Sequence, residues 1–403
     1  MKYLGLIRII VITIILAVML AAPALPGSIS AAQSGRQPPK KKVEKKTEEQ
    51  KDQKARPGEE DPQEPAPPVP KGIKDEPAIK LTTQVVGIPV TVIDKKSGRL
   101  VPNLSQKSFT VYEDNIKQEI TNFRSGEGPM TVVLLLDNGF QNRNWQGYFN
   151  PTMTQEIFQS AAIFVQSFVK PQDFVSIVTF SLKPKVIQDF TSDPTKLYNA
   201  ILAAYRDTLN FSESNIYDGL AFTLLGGKAI QLFDESAGDQ EYTGVQEIEG
   251  QTAVILVTTG IDTFSRLTYD KTLKIVQSAG VPIFTVGVGN LFYKKNEPYM
   301  SPIQRSTFQM AFLQLKTFAE FTGGSYFPMT FESEIPAIMR SIEHMLRAQY
   351  NLGYEPTNTR REGKDRKIKI DVDVDGDGQP DNKQLEIRFR QRYTEPDDRP
   401  KKK

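Results

Sequence analysis

The first chemistry this chain offers is a run of carboxylates at alternate positions. In DVDVDGDGQPDNKQ, Asp373, Asp375, Asp377 and Asp381 are spaced so that one short loop could wrap a calcium ion, with Gly376 and Gly378 permitting the sharp turn. Against that, Gln384 stands where a bidentate Glu is usual, no helical pattern flanks the loop, and Val372 and Val374 continue a strand alternation. The alternative is a polar hairpin turn rich in Asp and Gly. A lone carboxylate, Asp137, closes the apolar run VVLLLD. At the end of a buried strand it either binds something or accepts N–H groups of the following loop. Aromatic residues gather in two further segments. NGFQNRNWQGYFNP holds Phe140, Tyr148, Phe149 and the only Trp, Trp145; NLFYKKNEPYMSP holds Phe292, Tyr293, Tyr299 and Met300 beside Lys294 and Lys295. Read as loops, both supply a hot spot for a protein partner; folded back, they cover apolar strand ends.

Composition removes most other chemistry. There is no Cys and one His, His344, so disulfides, thiolate nucleophiles, Cys-ligated metals and a Ser-His-Asp triad all lack parts. No nucleophile–base pair is visible, and the chain reads as non-enzymatic. With 50 basic against 48 acidic side chains there is no positive excess to neutralise phosphates, so nucleic acid is not an expected partner. The glycine pairs of GVGNLF and LLGGK lack the spacing of nucleotide loops. His344 reads as a boundary residue of a helix, and DESAGDQEYTGVQEIEG, from Asp234, as a solvated loop at the end of the sheet away from the site.

The elements that must position these residues come in blocks. Residues 1–32 carry Lys2 and Arg8 before an apolar run from Ile9 to Leu20, then Ser30, Ala31 and Ala32, the layout of a signal peptide cleaved after Ala32. The alternative is an uncleaved anchor, although the run is shorter than the ~20 residues of a spanning helix. Export to the periplasm, the cell surface or the medium is expected, with membrane contact only through an uncleaved leader. Residues 33–78 form a linker: between Arg36 and Gly72 there are eight Pro and no aromatic, Leu or Ile. Such a segment cannot bury enough apolar area to offset its ordering entropy.

Residues 79–125 alternate as antiparallel strands do, through Val86, Ile88, Val90 and Val92, then Phe109, Val111 and Ile120. In 126–346, apolar strands (TVVLLLD, FVSIVTF, TAVILVTT, PIFTVGV, SYF) alternate with helical patterns, including one from Asn215 to Phe233. This is the signature of an α/β domain, a mostly parallel sheet with helices on both faces, whose sites lie at the carboxyl ends of the strands. In 347–396 strands return as AQYNLGYEP, KIKIDVDV and QLEIRFR, before a tail at 397–403. Two half-sized β segments flanking one complete domain predict a single β-sandwich with the α/β domain inserted.

VVLLLDNG, NIYDGLAFTLL, TAVILVTTGIDTFSR and AGVPIFTVGVG resemble the von Willebrand factor type A fold, and the flanks resemble bacterial VWFA-related proteins. That resemblance implies a Rossmann-like domain whose relatives hold a divalent cation through DxSxS, a Thr on a second loop and an Asp on a third, and use it to grip an acidic partner. Matched residue by residue, Asp137 keeps the first position, Gly139 and Gln141 replace both Ser, Ser214 falls at the Thr, and Thr259 replaces the Asp. Magnesium is not expected at so depleted a set, although Gln141 and Asp262 could lend oxygens after rearrangement. The Asp373 loop, for its part, resembles EF-hand-like calcium repeats. The resulting expectation is an exported protein-interaction module of the cell envelope, binding a protein partner through its top loops. Two alternatives stand beside it: an assembly factor acting through edges of the β module, and a metal-dependent adhesin with a remodelled site.

Overall fold

A computed structural model of the chain describes residues 85–126, 128–139, 151–207, 213–232, 242–246, 248 and 250–395. The leader, the linker and the tail lie outside the described residues, as do Phe140, Gln141, Trp145, Tyr148 and Phe149. No helix of the described residues is long and apolar enough to cross a membrane.

The strand β5 (Met130–Asp137) is buried along its whole length, because it lies between two parallel neighbours in a sheet covered on both faces. Alternation along this one strand divides it between two cores. Val132, Leu134 and Leu136 pack with the helices α1 (Pro151–Phe168), α2 (Pro194–Asp207) and α7 (Ile335–Arg347). Val133 and Leu135 pack on the other face with α3 (Ile216–Leu225), α4 (Tyr269–Ala279) and α6 (Pro302–Thr322). The sheet runs β10 (Tyr326–Pro328), β9 (Ile283–Gly287), β8 (Gln251–Thr258), β5, β6 (Phe174–Phe180), β7 (Pro184–Thr191). All pairings are parallel except β6 with β7. The expected α/β class is therefore the one observed.

The flanks meet in two further four-stranded sheets. One is ordered β13 (Leu385–Arg388), β1 (Val86–Asp94), β11 (Tyr350–Tyr354), β4 (Ile120–Arg124); the other β14 (Arg392–Thr394), β12 (Asp365–Val372), β2 (Phe109–Glu113), β3 (Ile116–Gln118). Their inner faces share one core that includes Ile88, Val111, Leu352 and Ile370. Inside it Arg366 donates to Glu113 at 2.6 Å and also pairs with Glu395, while Tyr354 and Tyr393 donate to the same Glu113 carboxylate at 2.6 and 2.7 Å. The charges of Arg366, Glu113 and Glu395 are thus paired, which is the condition for keeping them buried.

Several sequence expectations need correction. QLEIRFR is not one strand: it leaves one sheet at Arg388 and the chain rejoins the other as β14. Between them Arg390 donates to the Gly87 carbonyl at 2.7 Å, and its guanidinium closes on Gly280, the left-handed residue that ends α4. The β7 strand shows no regular alternation in sequence, because register shifts opposite Ile177 break it. The helix expected from Asn215 to Phe233 is an α-helix only to Leu225 and continues as a tighter 3-10 helix over Gly226–Leu232. Gly226 turns with φ 68°, and a Cβ there would lie 2.2 Å from the Tyr242 carbonyl oxygen. That contact belongs to a segment expected to be a solvated loop, in which Tyr242, Val245 and Ile248 are instead buried in the second core. Finally, NLFYKKN is no loop but the helix α5 (Asn290–Asn296).

Candidate functional site

Register brings the central cluster together. Leu136 of β5 lies opposite Val257 of β8, so the next residues, Asp137 and Thr258, end adjacent strands side by side. The Thr258 hydroxyl donates to Asp137 Oδ2 at 2.6 Å. Ser214, from the loop before α3, donates to the same oxygen at 2.8 Å, and the Gly139 N–H reaches Oδ1 at 3.1 Å. All of these residues are buried, Asp137 to 2% exposure and Ser214 and Thr258 completely. Burial pushes the Asp137 carboxyl up to about 6, against the opposing pull of the Thr258, Gly139 and Ser214 hydrogen bonds, and the charge of Asp262 adds to the rise.

Around this cluster, carboxylates hold the loops through backbone N–H groups. Asp262 Oδ1 accepts from the Ile216 N–H at 3.0 Å, at the start of α3, and from the Ser265 hydroxyl at 2.5 Å. Asp218 takes the N–H groups of Arg266 and Leu267 at 3.1 and 3.0 Å. On the far side of β9, Glu156 of α1 faces the Gly289 N–H at 3.4 Å, and burial, aided by the Glu332 charge, raises its carboxyl to about 7. Thr258, Asp218 and Glu156 were not singled out in the sequence. Thr258 was within reach of it, since the last residue of the neighbouring strand must abut Asp137.

The other candidate residues lie elsewhere. Thr259 is fully buried and its hydroxyl accepts from the Ile261 N–H at 3.4 Å. Phe292 and Tyr293 pack on Phe308 of α6 with ring centroids 6.1 and 5.5 Å away, whereas Tyr299 is 85% exposed. In the acidic loop between β12 and β13, carboxylate oxygens of Asp373, Asp375 and Asp377 lie within 4.8 Å of one another. Asp381 is outside that group and accepts from the Val374 N–H at 2.9 Å. Asp373 itself takes the Gly376 and Gly378 N–H groups at 2.7 and 2.9 Å. His344 has a side chain 63% exposed, as a boundary residue should.

Residues 150–319 match the family model of the von Willebrand factor type A domain. This chain carries a von Willebrand factor type A domain. Among solved structures, proximal thread matrix protein 1 from the mussel byssus is similar at 16% identity and a TM-score of 0.38, over 58% of this chain and 51% of that one. The chain thus spans about half the length of the mussel protein. The vWF domain of the type V pili tip protein Mfa5 from Porphyromonas gingivalis is 13% identical with a TM-score of 0.34, over 55% of this chain and 95% of that one. A mutant of the PilB minor pilin from Streptococcus sanguinis is 14% identical with a TM-score of 0.35, over 55% and 62%. None of the curated proteins compared matches the chain.

A magnesium ion at the carboxyl end of the type A sheet requires about six oxygens in octahedral array. At Gly139 there is no side-chain oxygen and no space for one, because a Cβ would lie 1.7 Å from the Glu213 carbonyl oxygen. Asp137 has both oxygens engaged, and Asp262 is drawn to the start of α3. Among the described residues the oxygens that meet are those of Asp137, Ser214 and Thr258, and this set does not fit a six-oxygen cage.

Proposed function

We propose that this chain is an exported, non-enzymatic protein-interaction module whose type A domain captures its partner through the carboxyl end of the sheet without a divalent cation. The observation that carries the reading is the closure of Gly139 onto Glu213, which packs backbone where a metal-binding relative needs a hydroxyl. Direct hydrogen bonds from Ser214 and Thr258 to Asp137 satisfy the carboxylate instead of an ion. Catalysis is disfavoured because the Asp137–Ser214–Thr258 arrangement is sealed from solvent, and the single His sits on an exposed helix face far along the chain. Export is supported by the leader pattern of residues 1–32.

The test pairs metal analysis with capture. The full-length protein, isolated from its envelope fraction, should contain less than stoichiometric magnesium or manganese. It should also retain the same partners from envelope extract with and without EDTA. Stoichiometric metal whose removal abolishes capture would refute the reading, and the remodelled adhesin would take its place.

A further inference from the structure

Beside the Asp137 cluster an open groove of about 580 Å³ is lined by the segment Gly260–Asp262, by α6 and by Tyr217 of α3. Its α6 wall sets Ser306, Thr307 and Gln314 among two bare apolar side chains: Ile303 and Met310, seven residues apart and so on one helical face, are 76% and 53% exposed. Ser306 lies between them. Buried Ile261 contributes to the floor. Among the described residues the one charged residue lining this groove is Asp262.

Asp262 is half committed. Its Oδ1 takes the Ile216 N–H and the Ser265 hydroxyl, at 3.0 and 2.5 Å. Its Oδ2 has only a long contact, 3.4 Å, from the Ser265 N–H. No lysine or arginine pairs with it among the described residues. Partial burial raises its carboxyl, as expected of an anion that lacks a counter-charge, and the neighbouring Asp137 adds a second negative group. A carboxylate with one oxygen held only by a long contact, lining the same groove as bare Ile303 and Met310, matches a side chain with a long alkyl stem and a cationic tip.

We propose that the groove receives a lysine or arginine side chain of a protein partner, next to an aliphatic residue, with the cation at Asp262 Oδ2 and the alkyl stem along Ile303 and Met310. The preference is the reverse of a metal-centred site. Where a bound cation would attract an acidic side chain, the bare carboxylates repel one and select a base. The inference rests on the cation-free reading above, since a magnesium ion beside Asp137 would cancel the local negative charge.

Selection of a random peptide library on the immobilised full-length protein in EDTA tests it. Peptides carrying Lys or Arg beside Leu, Ile or Val should be enriched. Binding of the best of them should fall roughly tenfold or more in Asp262→Asn, the scale of removing one member of a desolvated charge pair. Ile303→Lys should reduce binding as well, by placing a competing cation at the mouth of the groove. Because Ile303 is 76% exposed, that second variant keeps the fold even if Asp262→Asn weakens the start of α3. Enrichment of acidic peptides, no enrichment at all, or basic peptides indifferent to both variants would each overturn the proposal. Acidic peptides recovered only when magnesium replaces EDTA would refute the cation-free reading with it. Basic peptides insensitive to the groove but lost in Tyr299→Ala would remove this site alone.

Discussion

Asp137→Asn should stabilise this protein at neutral pH and do so less and less as the pH falls. In the unfolded chain the Asp137 carboxyl titrates at its ordinary 3.8; in the fold, burial holds it at about 6. The folded state therefore binds the proton more tightly, and ionisation works against folding. Well below pH 3.8 both states are protonated and the penalty is absent. It grows as the pH rises from about 4 to 6 and is complete above 7. A shift of this size corresponds to up to about 3 kcal/mol, at 1.36 kcal/mol per pH unit. Asn carries no charge, keeps an oxygen for the Gly139 N–H, and can donate to the Ser214 and Thr258 oxygens once those hydroxyls turn. Any cost of that rearrangement is independent of pH, and the Glu156 titration, common to both proteins, cancels in the difference. Urea unfolding followed by far-UV circular dichroism at pH 4.5, 6 and 7.5 in EDTA reads the result. The stability of the variant relative to the parent should climb by about 2 kcal/mol across that range, the order set by the same linkage. A difference that stays flat would refute the electrostatic argument. Magnesium that stabilises the parent at pH 7.5 but not the variant would refute the metal argument as well.

Three further outcomes follow from the same geometry. Gly139→Ser, which restores a hydroxyl of the metal-binding pattern, should cost about 1–3 kcal/mol or more through overpacking on Glu213 and create no magnesium-dependent rise in Tm; a stable, magnesium-responsive variant would show that the loop opens readily. Tyr293→Ala, which removes a ring from the cluster with Phe308 and Phe312, should lower stability by about 2–4 kcal/mol, while Tyr299→Ala leaves the Tm unchanged and weakens partner capture. Equal Tm losses in the two would contradict this division. Millimolar calcium should bind the acidic loop through Asp373, Asp375 and Asp377, giving calorimetric heat that Asp375→Asn abolishes. No heat in the parent leaves the loop a hydrogen-bonded turn.

Much of the fold was legible because apolar periodicity reports burial directly. Unbroken VVLLL demanded a strand covered on both faces, and the alternation Val86, Ile88, Val90, Val92 demanded one dry face. The legible part ended where local pattern and tertiary contact disagree. The β7 strand was hidden by bulges, the 242–248 stretch by acidic neighbours that mask three buried residues, and the end of α3 by a carbonyl from a distant segment that only a glycine can face.

The site divides in the same way. Residue identity alone determined that no thiol or imidazole chemistry is available and that the hydroxyls of DxSxS are missing, since a side chain that is not encoded cannot be supplied by folding. Only the tertiary structure decided what fills their place. Whether Asp137 meets an ion or two hydroxyls depends on the register of β5 against β8 and on how closely the Ser214 loop approaches, and both are set by packing between segments 77 and 121 residues apart. The groove is likewise absent from any local pattern, because its walls come from α3, the end of β8 and α6, which only the folded sheet brings side by side.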